Sequence, residues 1–310
     1  MAQLNFLRDR NPVFNILFLS ALALFCAGIF SLIALAGIQL VWGIPVFSNP
    51  AALSDFSNPE LLNPLKFMQV MYSIGLFIVP CFVFLKLADE NSLEFLKMKK
   101  FPAIIGLLLA FGIMLVVQPL VELTGKWNAA FPFPEAFGIA DWIKQSEDAG
   151  EVVTKLFLKA DTVGVFILNV FIIAFLPALG EEIFFRGMIQ QYMVKAVKNL
   201  YIGIIITAII FSAFHFQFMG FLPRMLLGII LGCIFAWSKN IWLSVFAHFL
   251  NNGAAVTLDY LNQRNIINEE QLESVASDNV MVVVVSLVLL GALMFALYKQ
   301  RKRAEAVPSP

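Results

Sequence analysis

The sequence predicts an all-α fold, a polytopic membrane helix bundle of about eight transmembrane helices. Hydrophobic residues make up 60% of the chain and charged residues 14%, whereas a soluble domain carries roughly 25% charged residues. The mean hydropathy is correspondingly high, at +0.84. The apolar residues are also gathered in stretches of about 20, the length that a helix needs to cross the ~30 Å hydrocarbon core of a bilayer.

Eight such stretches follow one another along the chain. They lie at residues 13–42, 65–86, 103–123, 163–185, 200–217, 222–237, 241–258 and 279–298. The first follows Arg8 and Arg10, but its apolar run is far longer than the roughly 7–15 residues of a cleavable signal core. We therefore expect it to remain as a membrane helix.

Basic residues in the short loops predict the orientation, because Lys and Arg are enriched on the cytoplasmic side. With the amino terminus in the cytoplasm, four basic sets fall on that side: Lys97, Lys99 and Lys100; Lys195 and Lys198; Lys239; and Lys299, Arg301, Lys302 and Arg303. The opposite side receives the acidic loop around Glu269, Glu270 and Glu273, together with Arg224 and Arg264. Both termini are therefore expected in the cytoplasm.

Charge and cysteine content exclude other classes of protein. The 21 Lys and Arg residues balance 21 Asp and Glu residues, so no nucleic-acid partner is expected. Cys26, Cys81 and Cys233 all fall within predicted spans, which suits buried apolar positions and gives neither a disulfide framework nor a thiolate metal site.

We divide the chain into three regions. Residues 1–160 form an N-terminal transmembrane scaffold with three spans and outer loops. Residues 161–260 hold four closely spaced spans and form the expected working core. Residues 261–310 form an outer loop, the last span and a basic cytoplasmic tail.

Three polar clusters interrupt the spans of the 161–260 core, each on its own predicted span. They are Glu181-Glu182-x-x-x-Arg186, Phe211-x-x-x-His215 and His248-x-x-x-Asn252, and they contain the only two histidines of the chain. Ionisable groups at membrane depth are costly, so their presence is by default a hypothesis about function.

Helical spacing assigns different directions to these side chains. Residues four apart share a face of a helix and neighbours do not, so Glu182 can pair with Arg186 while Glu181 stays free to accept a proton. His248 and Asn252 face the same way. Histidine can hold a water, and asparagine is a neutral donor suited to a developing oxyanion. The set therefore indicates a non-covalent hydrolase.

Each cluster alone also has a structural interpretation. The Glu–Arg pair could be only a salt bridge, the histidines could be interhelical hydrogen-bonding groups, and Asn251 and Asn252 beside Gly253 could form a packing patch. Their occurrence on three of four successive spans favours the chemical interpretation.

The three ordered motifs resemble the CAAX prenyl endopeptidase family of intramembrane glutamate proteases, also called the CPBP or Abi family, over roughly residues 161–260. The resemblance implies an endopeptidase of the bacterial cytoplasmic membrane without a cofactor. Its substrate would be a peptide or protein, lipidated or held in the bilayer. The implied roles are water activation by Glu181 and His215, oxyanion stabilisation by His248 and Asn252, and support of the site by Glu182 and Arg186.

Two other functions stay open. A zinc metalloprotease could use Glu181, His215 and His248 as ligands, although no His-Glu-x-x-His helix is present and few residues are placed to orient the histidines. A non-catalytic membrane immunity or transport scaffold could use the same cluster to relay protons or hold a partner. It would be expected to have broken helices and more intramembrane charge.

Overall fold

The structure, a computed structural model, describes residues 7, 10–55, 58–131, 139–267 and 279–306. All regular elements in these ranges are helical. Several residues used for the predicted orientation, or their side chains, lie outside what is described: Arg8, Glu269, Glu270, Glu273, Lys302 and Arg303.

Besides two short 3₁₀ helices at Pro50–Leu53 and Pro59–Leu61, ten helices are present in the described ranges. They are α1 (Pro12–Trp42), α2 (Leu62–Leu87), α3 (Ser92–Phe95), α4 (Ile104–Ala129), α5 (Ile139–Leu158), α6 (Val163–Val197), α7 (Leu200–Ala213), α8 (Phe221–Ser238), α9 (Ile241–Gln263) and α10 (Val280–Ala306). Seven of them, α1, α2, α4, α6, α8, α9 and α10, are long and apolar enough to cross a membrane. The predicted all-α polytopic membrane bundle is confirmed.

The fifth predicted span, 200–217, is shorter than expected. Helix α7 ends at Ala213 after 14 residues, about 21 Å at ~1.5 Å per residue and less than the hydrocarbon core. The chain then turns, with Phe216 in the left-handed region at φ 53°. His215 therefore lies in the turn between α7 and α8, and its predicted place on a span is wrong.

Asparagine caps and left-handed lysines set the short connections around α7 and α8. Asn199 and Asn240 begin α7 and α9 by accepting hydrogen bonds from the backbone N–H two residues on, at 3.0 and 2.9 Å. Lys198 and Lys239 end the helices before them with φ of 52° and 50°. These caps make the connections between α6 and α7 and between α8 and α9 only a few residues long.

The predicted cytoplasmic basic sets meet at one end of the bundle. One member of each set, Lys97, Lys195, Lys239 or Arg301, lines the same cavity of about 410 Å³. The α6–α7 and α8–α9 connections therefore lie at the same end of the bundle. Helix α7 runs away from this end, and α8 runs back to it.

Two apolar cores flank the middle of α6 and α9. The first packs Leu19 of α1 and Phe84 of α2 against Phe185 of α6. The second packs Ile113 of α4 against Ala247 of α9, together with α8 and α10. The first 160 residues thus contribute to both apolar cores, and the polar clusters lie beside these cores.

Candidate active site

Helix α6 changes its winding where the two glutamates occur. From Glu182 to Gln190 it is a π-helix, a wider turn that is rare and is frequently found at functional sites. The sequence argument assumed regular α-helical spacing. The predicted separation still holds, because Glu182 is fully buried in the bundle while Glu181 reaches a cavity.

Glu182 and Arg186 form a buried ion pair. Arg186 Nη1 donates to Glu182 Oε1 at 2.7 Å, and the two side chains are 1% and 0% exposed. The Arg186 guanidinium also lies 4.5 Å from the centre of the Phe211 ring, and its Nη2 donates to the Gly228 carbonyl at 3.3 Å. Charges at this depth persist only when paired and hydrogen-bonded, so the pair fixes this part of α6.

His248 is oriented by the same glutamate. Its Nδ1 lies 2.9 Å from Glu182 Oε1, the oxygen that also accepts from Arg186. Because this oxygen is an acceptor, Nδ1 carries the donated proton, and the neutral ring keeps a lone pair on Nε2. That Nε2 lies 3.9 Å from Glu181 Oε2.

His215 is oriented by the backbone of α7. Its Nδ1 donates to the Phe211 carbonyl at 2.9 Å, because a carbonyl can only accept. The neutral ring therefore also keeps its lone pair on Nε2. The imidazole packs against the Phe211 ring, with 5.0 Å between the ring centres.

Glu181, His215, His248 and Asn252 line one cavity of about 90 Å³, whose wall is completed by Met114, Phe211, Arg224, Leu227, Leu231 and Asn251. A water requires roughly 10–15 Å³ of such space, so several fit. Glu181 Oε2 is buried and has no hydrogen-bond partner among the described residues. It is therefore placed to accept a hydrogen bond from a water or a substrate group.

The sequence analysis missed two polar residues of this cavity. It used Arg224 only as evidence on orientation, and it considered Asn251 only as part of a packing patch. Arg224 Nη1 donates to Gln217 Oε1 at 2.8 Å, and Nη2 donates to the Gln217 carbonyl. An arginine inside an apolar span is itself a sign of a functional site, and this signal could have identified it.

The sequence argument against zinc also needs correction. It relied in part on a lack of residues to orient the histidines, but Glu182 orients His248 and the Phe211 carbonyl orients His215. The absence of a His-Glu-x-x-His helix still holds. Across the ranges that the structure describes, no group of three or more His, Cys, Asp or Glu side chains is arranged to hold a metal ion.

Together, these features define an integral membrane helix bundle with a polar cavity between its helices, lined by one glutamate, two histidines and two asparagines among others. Residues 163–254 match the family described as type II CAAX prenyl endopeptidase, Rce1-like. This segment contains every residue of the site cavity except Met114. The chain therefore carries an Rce1-like domain, and the similarity to a CAAX protease supports the resemblance to the CPBP family.

Two bacterial proteins are similar to the chain. The uncharacterized protein YpbD of Bacillus subtilis is 26% identical over 132 residues, which cover 41% of this chain and 62% of that protein. The match thus spans less than two thirds of that relative. The membrane-embedded CAAX protease MroQ of Staphylococcus aureus is 23% identical over 215 residues, 67% of this chain and 79% of that protein. No solved structure matches the chain.

Proposed function

We propose that the protein is an intramembrane endopeptidase of the CAAX protease type that hydrolyses a peptide bond with an activated water. One observation carries this proposal: Glu181, His215 and His248, from three separate parts of the chain, converge with Asn252 on a cavity with room for water. The Rce1-like match over the same residues supports it.

In the proposed reaction, water lies between Glu181 and Nε2 of His215. Glu181 takes a proton from the water as its oxygen bonds to the substrate carbonyl carbon. Asn252 donates to the resulting oxyanion. For His248 to donate as well, its Nε2 must also carry a proton, because the proton on Nδ1 is donated to Glu182. The C–N bond then breaks, and the proton held by Glu181 passes to the leaving amine.

We extend the proposal to the setting of the enzyme. The substrate is a membrane-bound peptide or protein, because a second, apolar cavity of about 600 Å³ lies against the turn that carries His215 and has room for apolar groups. The enzyme lies in the bacterial cytoplasmic membrane with both termini inside, in line with its bacterial relatives and basic loops. It uses no cofactor, because Glu181 and His215 activate the water in the proposed reaction.

Purified protein in detergent, tested against a prenylated peptide and its unmodified counterpart, provides the direct test. Glu181→Gln and His215→Ala should reduce turnover by orders of magnitude while the protein stays folded, because both remove a group that activates water. Glu151→Gln, which alters an exposed ion pair with Lys155, is the matched control and should retain activity. Substantial turnover in either site variant would contradict the assignment.

The same experiment addresses the non-catalytic alternative. The short α7 and the additional intramembrane charge of Arg224 are features expected of a transport or immunity scaffold. If wild-type protein cleaves neither peptide while remaining folded, that alternative gains support. Cleavage that depends on Glu181 excludes it as the sole function.

A further inference from the structure

His215 lies in the turn formed by residues 214–220, called here the His215 turn. Side chains from outside the Rce1-like segment form hydrogen bonds with this turn. Asn128, near the end of α4 and 5% exposed, contributes both ends of its amide. Its Nδ2 donates to the Phe218 carbonyl at 2.7 Å, and its Oδ1 accepts from the Leu222 N–H at 2.6 Å.

These two bonds replace a helix cap that the sequence of α8 does not provide. Leu222 lies in the first turn of α8, where N–H groups have no partner within the helix. The cap residue of α8, Gly220, has no side chain to accept from them. Asn128 therefore caps α8 from a distant helix and holds the preceding turn with the same amide.

Glu147 of α5 makes a third contact with this turn. Its Oε1 accepts from the Met219 N–H at 3.0 Å. Ser212 adds a fourth, since its hydroxyl donates to the Phe221 carbonyl at 2.7 Å. Three of these four bonds therefore come from the first 160 residues, for which the sequence analysis found no chemical motif.

The turn requires such support because its backbone is irregular. Phe216 adopts the left-handed conformation directly after His215, which is unfavourable for a bulky residue and persists only when its surroundings impose it. Gln217, in the same turn, holds Arg224 of the site cavity. A shift of the turn would therefore move both His215 and Arg224 relative to Glu181.

We propose that Asn128 and Glu147 are positioning residues that hold the His215 turn in its working geometry. This inference rests on the proposed function, since it assigns His215 a role in water activation. It makes the N-terminal scaffold part of the catalytic apparatus, although among its described residues only the apolar Met114 lines the site cavity.

Kinetics of four variants test the inference. Asn128→Ala should lower kcat by roughly 10–100-fold with KM changed by less than about twofold, because misplacing a catalytic group by even 1 Å is costly. Glu147→Ala should lower kcat in the same way, and Glu147→Gln should restore it, because an amide oxygen still accepts from Met219. Asn15→Ala, which removes another buried asparagine bonded to a carbonyl, is the control and should leave kcat unchanged.

Hydrogen–deuterium exchange over residues 214–222 gives a readout that does not require activity. Asn128→Ala and Glu147→Ala should accelerate exchange there, and Asn15→Ala should not. Unchanged exchange in both variants, or faster exchange with unchanged kcat, would overturn the inference. If wild-type protein shows no cleavage, the proposed function fails, while exchange still decides whether the turn is held. If Asn128→Ala does not fold, the Glu147 pair of variants carries the test.

Discussion

Glu182 binds both Arg186 and His248 through a single oxygen atom. Its Oε1 accepts from Arg186 at 2.7 Å and from His248 at 2.9 Å. The residue is completely buried, so it lies behind the cavity rather than in it. The Glu182 carboxylate orients the His248 imidazole and is itself held by the Arg186 guanidinium. Its neighbour Glu181 faces the cavity, so the two adjacent glutamates can serve different purposes.

Removal of Arg186 should therefore leave an uncompensated buried charge. We expect Arg186→Met to lower the free energy of unfolding by about 3–5 kcal/mol. The double variant Arg186→Met/Glu182→Gln should recover much of this loss, because the remaining glutamine is neutral. Denaturant unfolding in mixed micelles measures both values. Equal destabilisation of the single and double variants would show that packing, rather than charge, accounts for the effect.

Asn252 provides a second test at the residue scale. If it donates to the oxyanion, Asn252→Ala should lower kcat by about 10²–10³-fold with little change in KM. Asn262→Ala, on the same helix but outside the cavity, is the control. An effect confined to KM would instead identify Asn252 as a substrate-binding residue.

Prolonged dialysis against a strong chelator separates the two hydrolase mechanisms. Activity should survive, because the proposed mechanism uses water held by Glu181 and His215 without a Lewis acid. The metal content of the purified protein should be well below one equivalent. Loss of activity that zinc alone restores would establish the metalloprotease alternative.

At the scale of elements, the position of α7 decides where His215 lies. Helix α7 packs closely on the end of α6 at Gly203, where a Cβ atom would lie 2.6 Å from Val194 Cγ2 and 2.9 Å from its Cα. The short connection through Lys198 and Asn199 leaves little freedom for the two helices to separate. The His215 turn begins directly after α7, eleven residues beyond Gly203, so a displacement of α7 would also move the site.

We expect Gly203→Ala to disturb this packing. The added methyl group has a backbone atom as its neighbour, so the free energy of unfolding should fall by roughly 1–3 kcal/mol, and turnover should fall with it. Gly28→Ala on α1, where nothing lies within 4 Å of the added Cβ, should be close to neutral in both measurements. A neutral Gly203→Ala would show that α7 can shift without consequence.

At the scale of the whole molecule, the basic residues define one end of the bundle. Members of all four predicted cytoplasmic sets surround one cavity, so the sets agree in space as well as along the chain. Seven spanning-length helices in the described ranges would place the two termini on opposite sides. Termini on the same side therefore require the short α7 to act, with α8, as a hairpin that enters and returns.

Cysteine labelling in intact cells tests the predicted orientation. A membrane-impermeant thiol reagent should label Ser48→Cys, between α1 and α2, and should not label Ser92→Cys, beyond α2. The native cysteines are buried, so they should contribute little background. Labelling of Ser92→Cys and protection of Ser48→Cys would reverse the orientation inferred from the lysines.

The sequence determined the membrane class, the positions of most helices and four of the residues that line the central cavity. These follow from local properties: the length of apolar runs, the cost of ionisable groups within them and the four-residue spacing that pairs Glu182 with Arg186. The roles assigned to the site residues and the division at residues 160 and 260 stay predictions. The orientation of the chain across the membrane also stays a prediction.

Only the tertiary structure decided how these residues meet. The end of α7 before His215 depends on how the turn is held by distant groups, so no local pattern predicts it. The bond between Glu182 and His248 joins positions 66 residues apart, and that between Asn128 and Leu222 joins positions 94 apart. Such contacts arise because helix packing brings remote polar groups to one place, where a buried polar group is costly unless it is hydrogen-bonded.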